Sequence, residues 1–168
     1  MNIFYLHSIA PICASYHADK HVGKMLIESC QMLATAHHIH GNGDKVSYKP
    51  THVNHPSNVW VRQSQLHYRY LASLAFYLGI EFRKRYGHDH KSATILRNEL
   101  MTPPPALLKM PGTWRNPPLA MPEEFHSSDT VDSYRRFYVS KQDRMPLAYY
   151  KGERQQPFWF YYDQAEAA

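Results

Sequence analysis

The sequence has few of the features that mark secreted, metal-binding or membrane proteins. Its 168 residues include only two cysteines, Cys13 and Cys30, which are too few for a disulfide framework and fit no metal-ligand spacing. We expect both to be core residues. No segment approaches the ~20 apolar residues of a transmembrane helix, and the first residues lack the basic and apolar regions of a signal peptide. The sequence therefore predicts a cytoplasmic location and no membrane partner.

Positive charge, histidine and aromatic rings are what the chain does contain. Lys and Arg outnumber Asp and Glu by 19 to 14, and 12 histidines can add charge beside a polyanion. The 13 tyrosines, 7 phenylalanines and 3 tryptophans provide flat rings. Basic and aromatic side chains together are typical of proteins that bind single strands or flipped bases, although aromatic residues also fill ordinary cores. A nucleic acid or nucleotide is therefore the predicted partner, and the oligomeric state stays open.

The positions of helix formers, glycine and proline predict an all-α fold with a single domain at 1–168. Residues 1–6 are too few to build a sheet and are expected to form a short extended arm. Long helices are predicted at 12–36 and 58–85, and shorter ones at 91–100 and 130–142. Dense prolines exclude regular structure at 103–122, where we expect an ordered wrap over the core. The aromatic tail at 146–162 is expected to dock on the body.

A narrow polar stripe interrupts the apolar surface of the first predicted helix. At 100° per residue its members fall within a sector of about 80°. They are His17, His21, Lys24, Glu28 and Gln31. A solvated face is normally wider and richer in Glu and Lys, so this mixture predicts the floor of a cleft. In this interpretation His17 or His21 is the acid–base group, Glu28 is the catalytic carboxylate and Lys24 contacts an anion.

Two other interpretations of the polar stripe remain open. It could be the solvated face of an amphipathic helix, with Lys24 and Glu28 as an i,i+4 ion pair. Alternatively, His17 and His21 have the HxxxH spacing of a zinc site, which would need a third ligand from Glu28 or a loop histidine. HADKH lacks the glutamate of the HExxH motif, and neither a metal nor another cofactor is predicted.

A second polar group lies in the proline-containing segment 50–64, a loop that leads into the first turns of the second long helix. An Asn-His pair there can donate to phosphate oxygens or to a base edge, and a basic residue follows in the first helical turns. Alternatively, Asn54 or Ser57 only caps the helix and the histidines face water. Together with residues beside the stripe, the predicted ligand-binding set is Asp19, Lys20, Gln31, His52, Asn54, His55 and Arg62.

Several of these residues resemble the pattern of a known enzyme family. The matching residues are Val22, Gly23, Lys24, Glu28, Gln31 and Leu33, followed by Asn54, His55, Pro56 and Trp60. In this order they resemble the pyrimidine-dimer DNA glycosylases of the endonuclease V type over the first half of the chain. A similarity along the whole length connects the chain to uncharacterised phage proteins, which would place it in the cytoplasm of the host.

The resemblance implies an all-α fold with the N-terminal arm in the cleft and glycosylase/lyase chemistry on a damaged base. In that chemistry an N-terminal amine attacks a sugar carbon and forms an imine, with help from a carboxylate of the first helix. Here residue 2 is Asn, a side chain large enough that Met1 is expected to remain. The family's carboxylate aligns near Ala18, and Asp19 lies one residue, or 100° of helix rotation, away.

The predicted function is therefore a DNA- or nucleotide-directed enzyme, a hydrolase or lyase of the DNA glycosylase type that acts on damaged or modified bases. The alternative is a phage-encoded protein that sequesters a nucleotide without turning it over. Both predictions use the same basic, aromatic and histidine-lined cleft. They differ in whether the ligand is turned over or only bound.

Overall fold

The computed structural model describes residues 1–161, and this part of the chain contains seven α-helices and no β-strand. The helices are α1 (Ala10–Ser15), α2 (Asp19–Ile39), α3 (Pro56–Val61), α4 (Gln65–Tyr86), α5 (Lys91–Ile95), α6 (Pro105–Leu108) and α7 (Thr130–Val139). A π-helical turn, Leu96–Leu100, continues α5. Short 3₁₀ turns lie at Gly43–Lys45, Glu123–Phe125, Ser140–Asp143, Lys151–Glu153 and Phe158–Tyr161. The all-α prediction is confirmed.

The core lies between α2 and α4, the two longest helices, with α1 packed on α4 and α3 packed on α2. The fully buried apolar side chains of the two long helices include Met25, Leu26, Met32, Leu33, Leu71, Leu74 and Leu78. Cys13 and Cys30 are fully buried beside them, as predicted. Within residues 1–161 no helix is long and apolar enough to span a membrane.

The N-terminal arm, residues 1–6, is buried in this core rather than lying on its surface. Residues 2–6 are each at most 7% exposed. Asn2 Oδ1 accepts a hydrogen bond from the backbone N–H of Phe4 (3.0 Å), and Asn2 Nδ2 donates to Ala120 O (3.0 Å). Arg135 Nε donates to the carbonyl at the end of the arm (3.0 Å). Phe4 has a φ of 48°, so the arm turns sharply there. The expectation of a fully extended arm is therefore wrong.

The prediction of one unbroken first helix is wrong, because the chain breaks between α1 and α2. The carbonyls of Ser15 and His17, which are free of helical bonding at the break, accept hydrogen bonds from Arg85 (3.1 and 2.6 Å). The backbone N–H of Ala18 donates to Tyr138 Oη (2.8 Å). Neither glycine nor proline marks this break, which is held by distant helices. His17 therefore precedes α2 and is not part of its polar face.

The second predicted long helix is also two helices, α3 and α4. Ser64 caps α4 and accepts a hydrogen bond from the backbone N–H of Leu66 (3.2 Å). Serine is a preferred N-cap residue, so the boundary was visible in the sequence. At the other end, Gly87 has a φ of 78° and ends α4 one residue beyond the predicted end of the helix at 85.

The two shorter predicted helices are confirmed in position. The π-helical turn carries α5 through to Leu100, and α7 is followed by the 3₁₀ turn at Ser140–Asp143. Asp129 caps α7, with its side chain accepting from the backbone N–H of Asp132 (2.9 Å). Aspartate is a preferred N-cap residue, so the start of α7 is marked locally in the sequence.

The proline-rich segment wraps over the core as predicted. Trp60 Nε1 donates to Arg115 O (3.0 Å), and the backbone N–H of Arg115 donates to His67 Nε2 (3.0 Å). Tyr134 Oη donates to Pro118 O (2.6 Å). The expectation of no regular structure is wrong for α6, a single turn that begins with a proline, since proline is tolerated at the first helical position.

A buried charge network fastens the C-terminal segment to α2 and α4. The fully buried Arg85 side chain makes ion pairs with Asp19 (3.2 Å) and Glu81 (3.1 Å), and Arg154 pairs with Glu81. Asp19 Oδ2 also accepts from the backbone N–H of Tyr150 (3.0 Å). The aromatic tail therefore docks as predicted as far as residue 161; position 162 and the end of the predicted domain lie outside the described residues.

We expect Arg85→Met to destabilise the protein by about 3 to 5 kcal/mol, because it removes the ion-pair partner of the buried Asp19 carboxylate and one of the two partners of Glu81. Lys84→Ala is the matched control: its side chain is exposed, so its effect should stay within about 0.5 kcal/mol. Urea denaturation followed by circular dichroism measures both. Equal midpoints for Arg85→Met and the wild type would contradict the structural role given to Arg85.

Candidate functional site

A pocket of about 310 Å³ opens between the N-terminal arm, α2 and the end of α7. We call it the amine pocket, because the first residue of the chain lies in its wall. Its lining residues are Met1, Asn2, Phe4, His21, Lys24, Glu28, Phe137, Lys141, Arg144 and Met145. His21, Lys24 and Glu28 of the predicted stripe therefore lie together, and His17 and Gln31 are outside the lining.

The Glu28 carboxylate lies against the first two backbone nitrogens of the chain. The α-amino group of Met1 is 3.8 Å from Glu28 Oε2, and the backbone N–H of Asn2 donates to the same oxygen (2.8 Å). Lys24 Nζ is 4.0 Å from the other carboxylate oxygen. The Met1 side chain is 1% exposed, so packing holds the amine at this position. An amine, a carboxylate and an ammonium group therefore share one wall of the pocket.

The opposite wall of the amine pocket is basic and aromatic. Lys141 Nζ lies 3.7 Å from the centre of the Phe137 ring, a cation–π contact. Burial, followed by the nearby Arg144 and Lys24 charges, lowers the pKa of Lys141. Within residues 1–161, neither Lys141 nor Arg144 forms a salt bridge with an acidic side chain. Three cations therefore line a pocket that contains one carboxylate, and this balance favours an anionic ligand.

His21 presents a neutral imidazole to the pocket. Burial is the main cause that lowers its pKa to about 4, and the charges of Lys24 and Lys141 lower it further. Its Nδ1 lies 2.7 Å from Tyr138 Oη, and its ring stacks on Phe4 with the ring centres 5.6 Å apart. Tyr138 fixes one ring nitrogen, which leaves Nε2 available to a ligand. A neutral imidazole in this position can accept a proton or hydrogen-bond a ligand.

His17 is completely buried behind this site and does not line it. Burial lowers its pKa to about 3, and its Nδ1 lies 2.8 Å from Cys13 O. Its Nε2 is buried with no hydrogen-bond partner among residues 1–161. The imidazole packs edge-on against Phe4 and Tyr138. His17 is therefore placed to support the pocket from behind.

The other predicted residues of α2 lie away from the pocket. Both carboxylate oxygens of Asp19 are used, one by Arg85 and the other by backbone N–H groups of the C-terminal segment. Lys20 is exposed and Gln31 is half-buried, and neither lines the pocket. The structure gives Asp19 a structural set of contacts rather than a place beside a ligand.

One histidine of the segment at 50–64 lies close enough to the site to interact with its charges. His55 caps α3 and accepts a hydrogen bond from the backbone N–H of Ser57 (3.2 Å), which is the capping role that had been considered for Asn54 or Ser57. Burial lowers the pKa of His55, the Met1 amine and His52 lower it further, and Glu28 opposes them. His55 is therefore within electrostatic reach of the amine and Glu28.

The remaining residues of that segment point elsewhere. His52 is exposed, and its Nδ1 lies 2.7 Å from Thr51 Oγ1. Asn54 is exposed. Arg62 Nη1 donates to Val53 O (2.7 Å), which holds the loop against the start of α4. None of these three side chains lines the amine pocket.

Sequence reasoning missed half of the pocket wall. The residues of the wall that were not predicted as site residues include Phe4, Phe137, Lys141, Arg144 and Met145. The spacing of Phe137 and Lys141 by four positions places them on one helix face, but nothing local indicates that this face meets α2. Among residues 1–161 no group of three or more His, Cys, Asp or Glu side chains is placed to hold a metal ion.

Comparisons with known proteins assign no family. No family model matches the chain, and neither a curated protein nor a solved structure is significantly similar to it. The amine pocket is therefore interpreted from its own geometry and charge.

We expect the stability of the protein to fall as the pH is lowered from about 6.5 to about 4. The folded protein withholds protons from His17 and His21, and the unfolded chain binds them in this window. Each histidine therefore lowers the free energy of unfolding by about 1.4 kcal/mol per pH unit. The stability that each neutral histidine contributes is fully present above its unfolded pKa. For His21 this stability is lost once the pH falls below its folded pKa of about 4.

Urea denaturation at several pH values measures this dependence. His21→Gln keeps a polar partner for Tyr138 but cannot titrate, so its slope against pH should be smaller than that of the wild type by one proton. Identical slopes for the two proteins would contradict the lowered pKa, since they would show that His21 binds its proton at the same pH in the folded and unfolded states.

Proposed function

We propose that this protein is a nucleic-acid- or nucleotide-directed enzyme of the glycosylase/lyase type, with an N-terminal amine as its nucleophile. The observation that carries the proposal is the position of the Met1 amine and the Asn2 nitrogen beside Glu28, at 3.8 and 2.8 Å from one oxygen. An amine that packing holds beside a carboxylate in a pocket is positioned to attack a ligand bound there. Either nitrogen, once it is the terminal one, lies within reach of the same carboxylate.

The amine supplies the chemistry of this reaction. An unprotonated amine condenses with the aldehyde of an abasic sugar: a C=N bond forms, and the oxygen leaves as water. With an intact nucleotide, attack at the sugar C1′ breaks the bond to the base, which leaves with the bonding electrons and takes up a proton. Glu28 is placed to accept the proton that the amine loses and, once protonated, to give a proton to the departing group, while the neutral His21 imidazole can hydrogen-bond the ligand.

The rest of the pocket is suited to a nucleotide. Lys24, Lys141 and Arg144 provide cations for phosphate oxygens. The rings of Phe4 and Phe137 provide apolar faces for a base. The volume of 310 Å³ falls within the range of about 300 to 1,000 Å³ typical of small-molecule sites.

Binding without turnover is the second candidate, and the charge of the pocket favours it. Three cations against one carboxylate attract a phosphorylated ligand whether or not a bond is later formed. A protein that only sequesters a nucleotide would release it intact after denaturation. Chromatography and mass spectrometry of the released small molecules would detect this.

We expect borohydride to trap the protein covalently on an oligonucleotide that contains one abasic site. Reduction of the C=N bond gives a stable secondary amine, and peptide mass spectrometry should locate it at the N-terminal residue. Glu28→Gln should slow trapping by roughly a hundredfold, the usual loss when an acid–base group is removed. Glu123→Gln, an exposed carboxylate outside the pocket, is the matched control and should react like the wild type.

Two results would contradict this proposal. One is the absence of any adduct or released base across abasic, damaged and modified oligonucleotides. The other is an adduct at a lysine side chain with the N-terminal residue unmodified. The thermal midpoints of both variants are measured first, so that loss of fold is not taken for loss of chemistry.

A further inference from the structure

A second pocket of about 390 Å³ lies next to the amine pocket, on the other side of the α7 end. We call it the Phe125 pocket. It is lined by Pro122, Glu124, Phe125, Phe137, Ser140, Lys141, Asp143 and Arg144. Phe137, Lys141 and Arg144 line both pockets. The two pockets are therefore adjoining compartments of one groove, with a basic and aromatic ridge between them.

The ridge is arranged around two aromatic rings. The Phe125 and Phe137 ring centres are 5.4 Å apart with their planes tilted by 54°. Lys141 lies on the Phe137 ring at 3.7 Å. Both phenylalanines are only half-buried, so part of each ring remains open to the groove. Phe4 of the amine pocket and Phe125 of the second pocket provide one further ring in each compartment beside this ridge, which matches a ligand whose flat groups alternate with negative charge.

We infer that the Phe125 pocket binds the nucleotide adjoining the one in the amine pocket, so that the ligand is single-stranded nucleic acid of at least two nucleotides. This inference rests on the proposed function and specifies its substrate class. The phosphate that links the two nucleotides lies at the ridge, beside Lys141 and Arg144. The second base packs on the open part of the Phe125 ring.

The acidic residues of the Phe125 pocket fit a base better than a phosphate. Glu124 and Asp143 are exposed carboxylates in its lining. Carboxylates repel phosphate but accept hydrogen bonds from the amino groups of bases, as they do from cytosine N4. The carboxylates of the Phe125 pocket therefore favour the base there, and the cations of the ridge favour the phosphate at the ridge. A free mononucleotide would use only the amine pocket and the ridge.

Calorimetric titration with a mononucleotide, a dinucleotide and a trinucleotide of the same base tests this inference. Stacking of a base on an aromatic side chain is worth about tenfold or more in affinity. We expect the dinucleotide to bind at least tenfold more tightly than the mononucleotide, and the trinucleotide to gain much less. Phe125→Ala should remove most of the dinucleotide's advantage and leave mononucleotide binding unchanged.

Two further variants make the result specific to the Phe125 ring. Phe125→Leu keeps apolar packing but has no ring face, so it should show the same loss even if the alanine variant folds poorly. Tyr150→Ala is the matched control: this aromatic side chain is 89% exposed and lines neither pocket. It should retain the full preference for the dinucleotide.

The outcomes separate this inference from the proposed function. Equal affinities for mononucleotide and dinucleotide, or an equal loss of both in the Phe125 variants, would overturn the second binding site even if borohydride traps an adduct. A clear length preference without any adduct would support the second site and contradict the covalent chemistry. Deoxy and ribo forms of the dinucleotide, compared in the same titration, identify which nucleic acid binds.

Discussion

The buried guanidinium of Arg85 joins α4 to the break between α1 and α2. A buried charge is costly unless its donors are paired, and here they bind two carbonyls of the α1–α2 break and the carboxylates of Asp19 and Glu81. Burial would raise the pKa of Glu81, but Arg154 and Arg85 hold it below its usual value. By fixing where α2 begins, this network sets the direction in which the polar residues of α2 face.

The sequence was sufficient for the type and position of most elements, and insufficient for the two helix breaks. Helix periodicity, Gly87 and the Asp129 cap correctly located α4, α5 and α7, since these are local signals. The Ser64 cap is also a local signal, but the apolar pattern continues through 58–85, and the segment was therefore predicted as one helix. The break before α2 had no local signal, because its carbonyls and N–H groups are satisfied by Arg85 and Tyr138. Only tertiary contacts determine such a break.

The candidate site divides in the same way. The spacing of His21, Lys24 and Glu28 indicated one face of a helix, and the structure places all three in one pocket. The facing wall, from α7 and its following turn, lies more than a hundred residues away and could not be assigned from periodicity. His17 was placed on the stripe only because the helix was assumed to be continuous. The segment at 50–64 contributes through His55, whereas its other polar groups are used in holding the loop.

The arm also has a consequence for how the molecule assembles. Asn2 is bonded to a carbonyl 118 positions later, and the end of the arm to a side chain 129 positions away. At translation rates of about 5 to 20 residues per second, these partners leave the ribosome seconds after the arm does. Until then Phe4 and Tyr5 lack their ring contacts with Phe137, Tyr138 and Tyr134, and the arm is only partly covered. The amine pocket is therefore completed among the last steps of folding, and a nascent chain that stops before α7 has no such pocket.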